Sequence, residues 1–203
     1  MVRRLGRAAF RGVGRFPGAV VLATLCFFYV PILAVAYLSL SPTAQPTLPI
    51  EAFSLRWYGE VFADRRFVRS MLTSLALGAF AAVFGTALGL AGAYTVVRSR
   101  LPGPIRGAIG AAIALPLFVP TVVVALGIGI TADRAGIGFG IVPVALGHLF
   151  WVLPFSTFLI AARYAELDGA LPEAARDLGA DGRTVFRTIT VPLLFPALVA
   201  SAL

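Results

Sequence analysis

Long apolar runs without Asp, Glu or Arg restrict the folds that this chain can adopt. A helix needs about 20 mainly apolar residues to cross the roughly 30 Å hydrocarbon core of a bilayer. Four runs reach that length, and they cover residues 18–40, 70–97, 107–132 and 141–162. Overall, 59% of the residues are hydrophobic, above the ~45–50% that is usual in soluble domains. The sequence therefore predicts an all-α, polytopic helical bundle in a membrane.

A fifth apolar run begins near Val191 and reaches Leu203 after 13 residues. At 1.5 Å per residue a helix of that length extends about 20 Å, which is too short to span. We therefore expect a fifth span that is cut off within the membrane. The spans predict an N-terminal part, residues 1–69, and a core, residues 70–203, whose helices at 141–162 and 191–203 are joined by a polar loop at 163–190.

Residue types that the chain lacks exclude several kinds of chemistry. All 17 basic residues are Arg, so no lysine is available for a Walker A loop or a Schiff base. The single Cys and single His, Cys26 and His148, exclude an internal disulfide and a Cys/His zinc cage. Because no nucleophile has a matched base either, the sequence predicts a non-enzyme without cofactor or metal.

The arginines are placed unequally on the two sides of the predicted spans. Twelve lie on the side of the N-terminus, in segments 1–16, 98–106 and 163–187, and five lie on the opposite side. The positive-inside rule then places the N-terminus and the 163–190 loop in the cytoplasm. The net charge of +8 fits this membrane role better than nucleic-acid binding.

The first apolar run has two interpretations. A cleaved signal peptide is one, but the run has 23 residues, whereas a signal core has roughly 7–15. We therefore favour an uncleaved first helix. The segment that follows, residues 41–69, is predicted to lie outside, with an extended stretch to Pro49 and a surface helix from Glu51 to Arg69 that places Trp57 at the membrane–water interface.

Glycine and proline have distinct predicted roles within the spans. Gly85 and Gly89 form a Gly-xxx-Gly step in the second span, which indicates close helix packing in lipid. Pro116 and Pro120 are four residues apart and are expected to bend the third span. A bent helix suits a transporter, but passive bundles contain such bends as well.

His148 is the one ionisable residue inside a predicted span. It can mark a substrate or ion path, or it can be a neutral side chain bonded to a backbone carbonyl. All nine acids lie in connecting segments, although ion-coupled carriers place charges at membrane depth. A stand-alone carrier or channel is therefore the weaker alternative for the whole chain.

The cytoplasmic loop combines charge with a short apolar stripe. Asp168 is predicted to cap a helix on which Leu171, Ala174, Ala175 and Leu178 share one face. Gly179 is predicted to end this helix in a left-handed conformation. An ordinary connecting loop and a docking helix for another protein are both compatible with this pattern.

Residues 173–192, EAARDLGADGRTVFRTITVP, resemble the EAA loop of the permease subunits of bacterial type I ABC importers. That motif is Glu-Ala-Ala, three residues, Gly, nine residues and Ile-x-Leu-Pro, with Val191 here in place of Leu. Pro172 is unusual before the Glu. Segments 53–78 and 147–180 look most like the spermidine/putrescine branch, which also has relatives for iron, thiosulfate, opines and aminophosphonates.

This resemblance implies an inner-membrane permease subunit that forms half of a translocation pore for a polyamine-like or other small solute. Its partners would be a second permease, identical or different, cytoplasmic ATP-binding subunits that hydrolyse ATP, and an extracytoplasmic solute-binding protein. The loop would be the coupling helix that fits a groove on the ATP-binding subunit. The coupling residues implied are Glu173, Ala174, Ala175, Leu178, Gly179, Ile189 and Pro192.

Overall fold

The computed structural model describes residues 16–203, and helices dominate this part of the chain. The predicted Arg-rich tail lies outside the described residues. A 3₁₀ turn covers Leu115–Phe118, and a π-helical turn covers Phe186–Thr190. The α-helices are α1 (Phe16–Leu38), α2 (Arg56–Ala63), α3 (Arg65–Val97), α4 (Gly103–Ala114), α5 (Thr121–Arg134), α6 (Ile141–Glu166), α7 (Ala170–Asp177), α8 (Gly182–Val185) and α9 (Val191–Ala202).

Four helical segments within residues 16–203 are long and apolar enough to cross a membrane, namely Gly18–Leu38, Arg65–Val97, Ile141–Glu166 and Gly182–Ala202. The first, second and fourth predicted spans are thereby confirmed as continuous helices. The last of these segments begins at Gly182 rather than at Val191, because α8, the π-helical turn and α9 follow one another without a break. The predicted fold class, an all-α membrane protein, is therefore confirmed.

The predicted third span is interrupted. Helices α4 and α5 are bent by 104° relative to each other across the Leu115–Pro120 segment, so together they form either one broken span or a re-entrant loop. Pro116 and Pro120 lack the N–H that a continuous helix would use, and in such a helix each ring would clash with the carbonyl four residues earlier. The predicted bend is confirmed, and it is a complete break rather than a kink.

The chain divides into two compact units, one up to Met71 and one from Leu72. In the first unit, the segment after α1 is held by side chains. The Trp57 indole N–H donates to the Ser41 carbonyl at 2.9 Å, and the Tyr58 and Ser39 hydroxyls lie 2.6 Å apart. The predicted helix from Glu51 to Arg69 is wrong in its extent, because Asp64 ends α2 and its carboxylate accepts from the Arg66 N–H at 2.8 Å to begin α3.

In the second unit, α3 packs directly on α6 through Gly85, Gly89 and Gly92, here named the glycine face. A Cβ atom added at Gly89 would lie 2.9 Å from the Ser156 carbonyl carbon, and one at Gly92 would lie 2.7 Å from the Thr157 hydroxyl oxygen. Ser156 and Thr157 are buried at 2% and 0% exposure. The predicted close packing is confirmed at Gly85 and Gly89, since only Gly lets two helices approach so closely, whereas Gly78, which the sequence places on the same face, makes no such contact.

The buried centre of this unit joins α3, α6 and α9. It comprises Ala93, Ile160, Ala161, Tyr164 and Leu194. The Thr86 and Ser201 hydroxyls lie 3.3 Å apart and link α3 to α9. This cluster lies near the C-terminal ends of α3 and α6. The 163–190 loop follows α6 and is therefore attached to the buried part of the unit.

Candidate functional site

The helix of the polar loop is α7, and its N-terminus differs by one residue from the prediction. Gly169, not Asp168, occupies the capping position. Asp168 still satisfies the helix end, because its carboxylate accepts from the Ala170 N–H at 2.9 Å. Its carboxylate, together with Glu173 in the first turn and Arg176 in the last, complements the helix dipole.

Gly179 ends α7 with a φ of +87°. Its N–H donates to the Arg176 carbonyl at 2.8 Å, and the Ala180 N–H donates to the Ala175 carbonyl at 3.0 Å. These two bonds are the Schellman pattern, which requires a left-handed residue after the cap. The predicted conformation of Gly179 is confirmed, and the sequence Leu178-Gly179 sets the direction in which the chain leaves the helix.

The apolar stripe of α7 is largely uncovered. Leu178 is 89% exposed and Leu171 is 51% exposed, and no residue of α7 is buried. Ala174 is exposed and Ala175 is half-buried. Two exposed leucines on either side of small alanines form an apolar surface, here named the alanine face (Leu171, Ala174, Ala175 and Leu178).

Asp181 caps the next helical segment, a role that was not predicted from the sequence. Its carboxylate accepts from the Thr184 N–H at 2.7 Å. Hydrogen bonds from the side chain and the backbone of Thr184 lower the pKa of this carboxyl. The signal was present in the sequence, because an Asp followed by a short helical stretch with a polar residue at the third position is a typical N-cap arrangement.

Ile189 and Pro192, the last two of the implied coupling residues, lie within the helical segment that begins at Gly182. Ile189 belongs to the π-helical turn and is half-buried, whereas Pro192 is exposed in the first turn of α9. Val185 and Thr190 are buried at 3% and 6% exposure. A π turn widens the backbone just before Pro192, where a regular helix would bring the ring against the carbonyl four residues earlier.

A cavity of about 1010 Å³ separates the loop from the ends of α3 and α6. Glu173 and Ile189 line it, whereas Leu178 and Gly179 do not. Its other charged lining residues are Arg98, Arg100, Asp168 and Arg176. The structure therefore divides the predicted coupling residues between two surfaces: the alanine face points away, and Glu173 faces the cavity.

Arg98 closes one side of this cavity. Its guanidinium donates to the Leu167 carbonyl at 2.6 Å and lies 5.7 Å from the centre of the Tyr164 ring. The carbonyl is among those that α6 leaves without a helical partner at its C-terminus. Arg98 thus ties the end of α3 to the start of the loop.

His148 lies exposed on α6, and its Nδ1 is 2.8 Å from the Val144 carbonyl oxygen. Since a carbonyl only accepts, Nδ1 carries the proton. This is the backbone-bonded arrangement that the sequence left as one of two alternatives. No cluster of three or more metal-ligating side chains occurs among residues 16–203.

Comparison with known proteins gives a consistent family. The putrescine transport system permease protein PotI of Escherichia coli is 32% identical over 93% of this chain and 69% of its own length. The spermidine/putrescine permease PotC of Haemophilus influenzae is 28% identical over 90% and 70%. The trehalose permease SugB of Mycobacterium tuberculosis is 30% identical over 90% and 68%.

The fold has solved counterparts as well. A bacterial ABC transporter that imports alginate matches with a TM-score of 0.69 and 16% identity, over 98% of this chain and 72% of that one. The family model for the inner membrane component of binding-protein-dependent transport systems matches residues 85–203, which include the glycine face, the broken span and the whole loop. This chain belongs to that family, the permease subunits of ABC importers.

Proposed function

We propose that this chain forms half of the translocation pathway of a polyamine importer and that α7 couples it to a cytoplasmic ATPase subunit. The observation that carries the coupling proposal is the alanine face: its leucines are exposed on a helix whose two ends are fixed by hydrogen bonds. A short apolar ridge held in one conformation suits a groove on a partner, because little ordering entropy remains to be lost on binding.

Glu173 would act differently from the alanine face. Its side chain faces the cavity with Arg98, Arg100 and Arg176, so it belongs to the surface behind α7 rather than to the ridge. We expect it to respond to the position of α7 relative to the membrane helices. The loop would thus contact the ATPase subunit through the alanine face and the membrane helices through the surface that contains Glu173.

Two relatives that transport polyamines by name support the polyamine assignment, and the trehalose permease is the observation that opposes it. The partners proposed are a second permease subunit, two ATP-binding subunits and an external solute-binding protein, all in or at the bacterial inner membrane. A structural neighbour, a bacterial alginate ABC transporter, forms a complex with a periplasmic protein that carries an alginate pentasaccharide. ATP hydrolysis would occur in the ATP-binding subunits.

The direct test is uptake into membrane vesicles that contain the complete importer. We expect labelled putrescine or spermidine to accumulate only when ATP and the ATPase subunit are both supplied, with trehalose as the competing substrate. Vesicles that lack only the ATPase subunit are the control. Accumulation without that subunit would favour the stand-alone carrier, and uptake of trehalose alone would overturn the polyamine assignment.

The proposed orientation has its own test. In a Cys26→Ala background, Thr47→Cys should react with an impermeant thiol reagent in intact cells, since residue 47 is exposed and is placed outside by the arginine distribution. Thr184→Cys should react only after the membrane is permeabilised. Labelling of residue 184 but not residue 47 in intact cells would reverse the orientation.

A further inference from the structure

The break between α4 and α5 leaves backbone groups without partners. Among residues 16–203, no hydrogen-bond donor reaches the carbonyls of Leu117, Phe118 and Val119. The N–H groups of Thr121 and Val122, which open α5, reach no acceptor in this part of the chain either. Five polar backbone groups therefore need an outside partner.

The break lies about half-way through the apolar stretch. The nearest charged residues in sequence are Arg106 and Asp133. Ten helical residues from Arg106 to Pro116 extend about 15 Å, half of the roughly 30 Å hydrocarbon core. The unpartnered groups are therefore at a depth where lipid offers them no hydrogen bonds.

The break has one covered side and one open side. Pro116 is buried, and the 3₁₀ turn contacts α6. Phe118 on the other side is 82% exposed, and Leu115 is 57% exposed. Irregular backbone at membrane depth is tolerated where protein buries it or where it lines a water-filled cavity. The uncovered side of the break must therefore meet one of these two environments.

We propose that the Leu117–Val119 carbonyls line the water-filled translocation pathway and accept hydrogen bonds from the ammonium groups of a passing polyamine. This proposal rests on the proposed function. The three carbonyls end a helical segment, where the backbone carries partial negative charge. The exposed Phe118 ring adds a face to which a cation is attracted. A pathway without membrane-embedded carboxylates can thus still receive a cationic amine.

The number of unpartnered backbone groups indicates that water, rather than a packed protein surface, covers the open side of the break. A packed protein contact would have to supply five partners in a small area to avoid leaving buried groups unsatisfied. Water supplies them without a matched surface. A mobile cation also needs weak, replaceable partners, and backbone carbonyls exchange ammonium donors for water at little cost in hydrogen bonds.

The experiment measures thiol accessibility in the complete importer. Phe118→Cys in a Cys26→Ala background is compared with Val83→Cys, which lies on an uninterrupted part of α3 and is similarly uncovered at 65% exposure. The cysteine thiolate, which forms in water and not in lipid, attacks the methanethiosulfonate reagent and displaces methanesulfinate. We expect residue 118 to react at least about tenfold faster than residue 83, faster with a cationic than with an anionic reagent, and more slowly when spermidine is present.

The readout does not depend on transport, so it separates this proposal from the proposed function. Slow reaction at residue 118, equal to that at residue 83, would overturn the aqueous lining even in an importer that takes up polyamines. Faster reaction with the anionic reagent would overturn the amine assignment. If trehalose slowed the reaction at residue 118 and spermidine did not, residue 118 would still line an aqueous pathway. The proposals that polyamines bind there and that polyamines are the substrate would both be rejected.

Discussion

Replacement of Gly179 by valine is expected to abolish uptake while leaving the protein inserted in the membrane. The φ of Gly179 is +87°, and a β-branched residue in this conformation costs on the order of 1–2 kcal/mol or more. Apart from its two chain neighbours, no atom of residues 16–203 lies within 4 Å of a Cβ added there, so the cost comes from the backbone alone. The end of α7 should unwind, and the ATPase subunit should co-purify poorly with the variant.

The matched control is Gly179→Asn. Asparagine is the side chain that most readily adopts the left-handed conformation after glycine, and the open space around Gly179 accommodates it. We expect this variant to retain most of the uptake and most of the ATPase recovery. If Gly179→Val kept wild-type uptake and ATPase recovery, binding of the ATPase subunit would not depend on the shape of the loop, and the coupling proposal would fail.

Replacement of Gly89 by alanine is expected to damage the fold itself. The new Cβ would lie 2.9 Å from the Ser156 carbonyl carbon and 3.1 Å from the Thr157 backbone nitrogen. Because these are backbone atoms, the two helices must separate, and overpacking of this kind typically costs about 1–3 kcal/mol. Purified protein in detergent should unfold at a lower temperature and be recovered in lower yield.

Gly78→Ala on the same helix serves as the control. Outside the surrounding backbone of α3, no atom of the described residues lies within 4 Å of a Cβ added at Gly78. Only the intrinsic helix preference therefore changes, by roughly 1 kcal/mol in favour of alanine. We expect its unfolding temperature to equal or exceed that of the wild type. Equal stability of the Gly89 and Gly78 variants would mean that α3 and α6 do not pack as closely as their glycine contact indicates.

Local sequence signals predicted the features that depend on one element at a time. The apolar runs predicted the helices, Gly179 predicted its own backbone conformation, and Pro116 with Pro120 predicted a bend. The sequence could not predict that the glycine face meets Ser156 and Thr157, because the pairing of helices depends on all their surfaces at once. Nor could two prolines indicate an angle of 104°, which packing on α6 helps to set.

In the candidate site, too, the sequence predicted the features of a single helix but not those that depend on packing between helices. The order of its residues along α7 followed from helical spacing, and the exposure of Leu178 is consistent with the stripe that spacing predicted. The sequence did not indicate that Glu173 and Leu178 belong to different surfaces, since the cavity behind Glu173 is built by α3 and α6. The π-helical turn was also unforeseen, because it reflects how the chain accommodates Pro192 within a continuing helix.

The uninterrupted run from Gly182 to Ala202 has a mechanical consequence. At 1.5 Å per residue it extends about 30 Å, and its buried residues Val185, Thr190, Leu194 and Ala197 are spread over most of that length. Only four residues, Leu178 to Asp181, separate α7 from this run, and hydrogen bonds fix both ends of that connection. A push on α7 would therefore pass through this run to α3 and α6, with which Leu194 shares the buried centre, rather than be absorbed by a flexible linker.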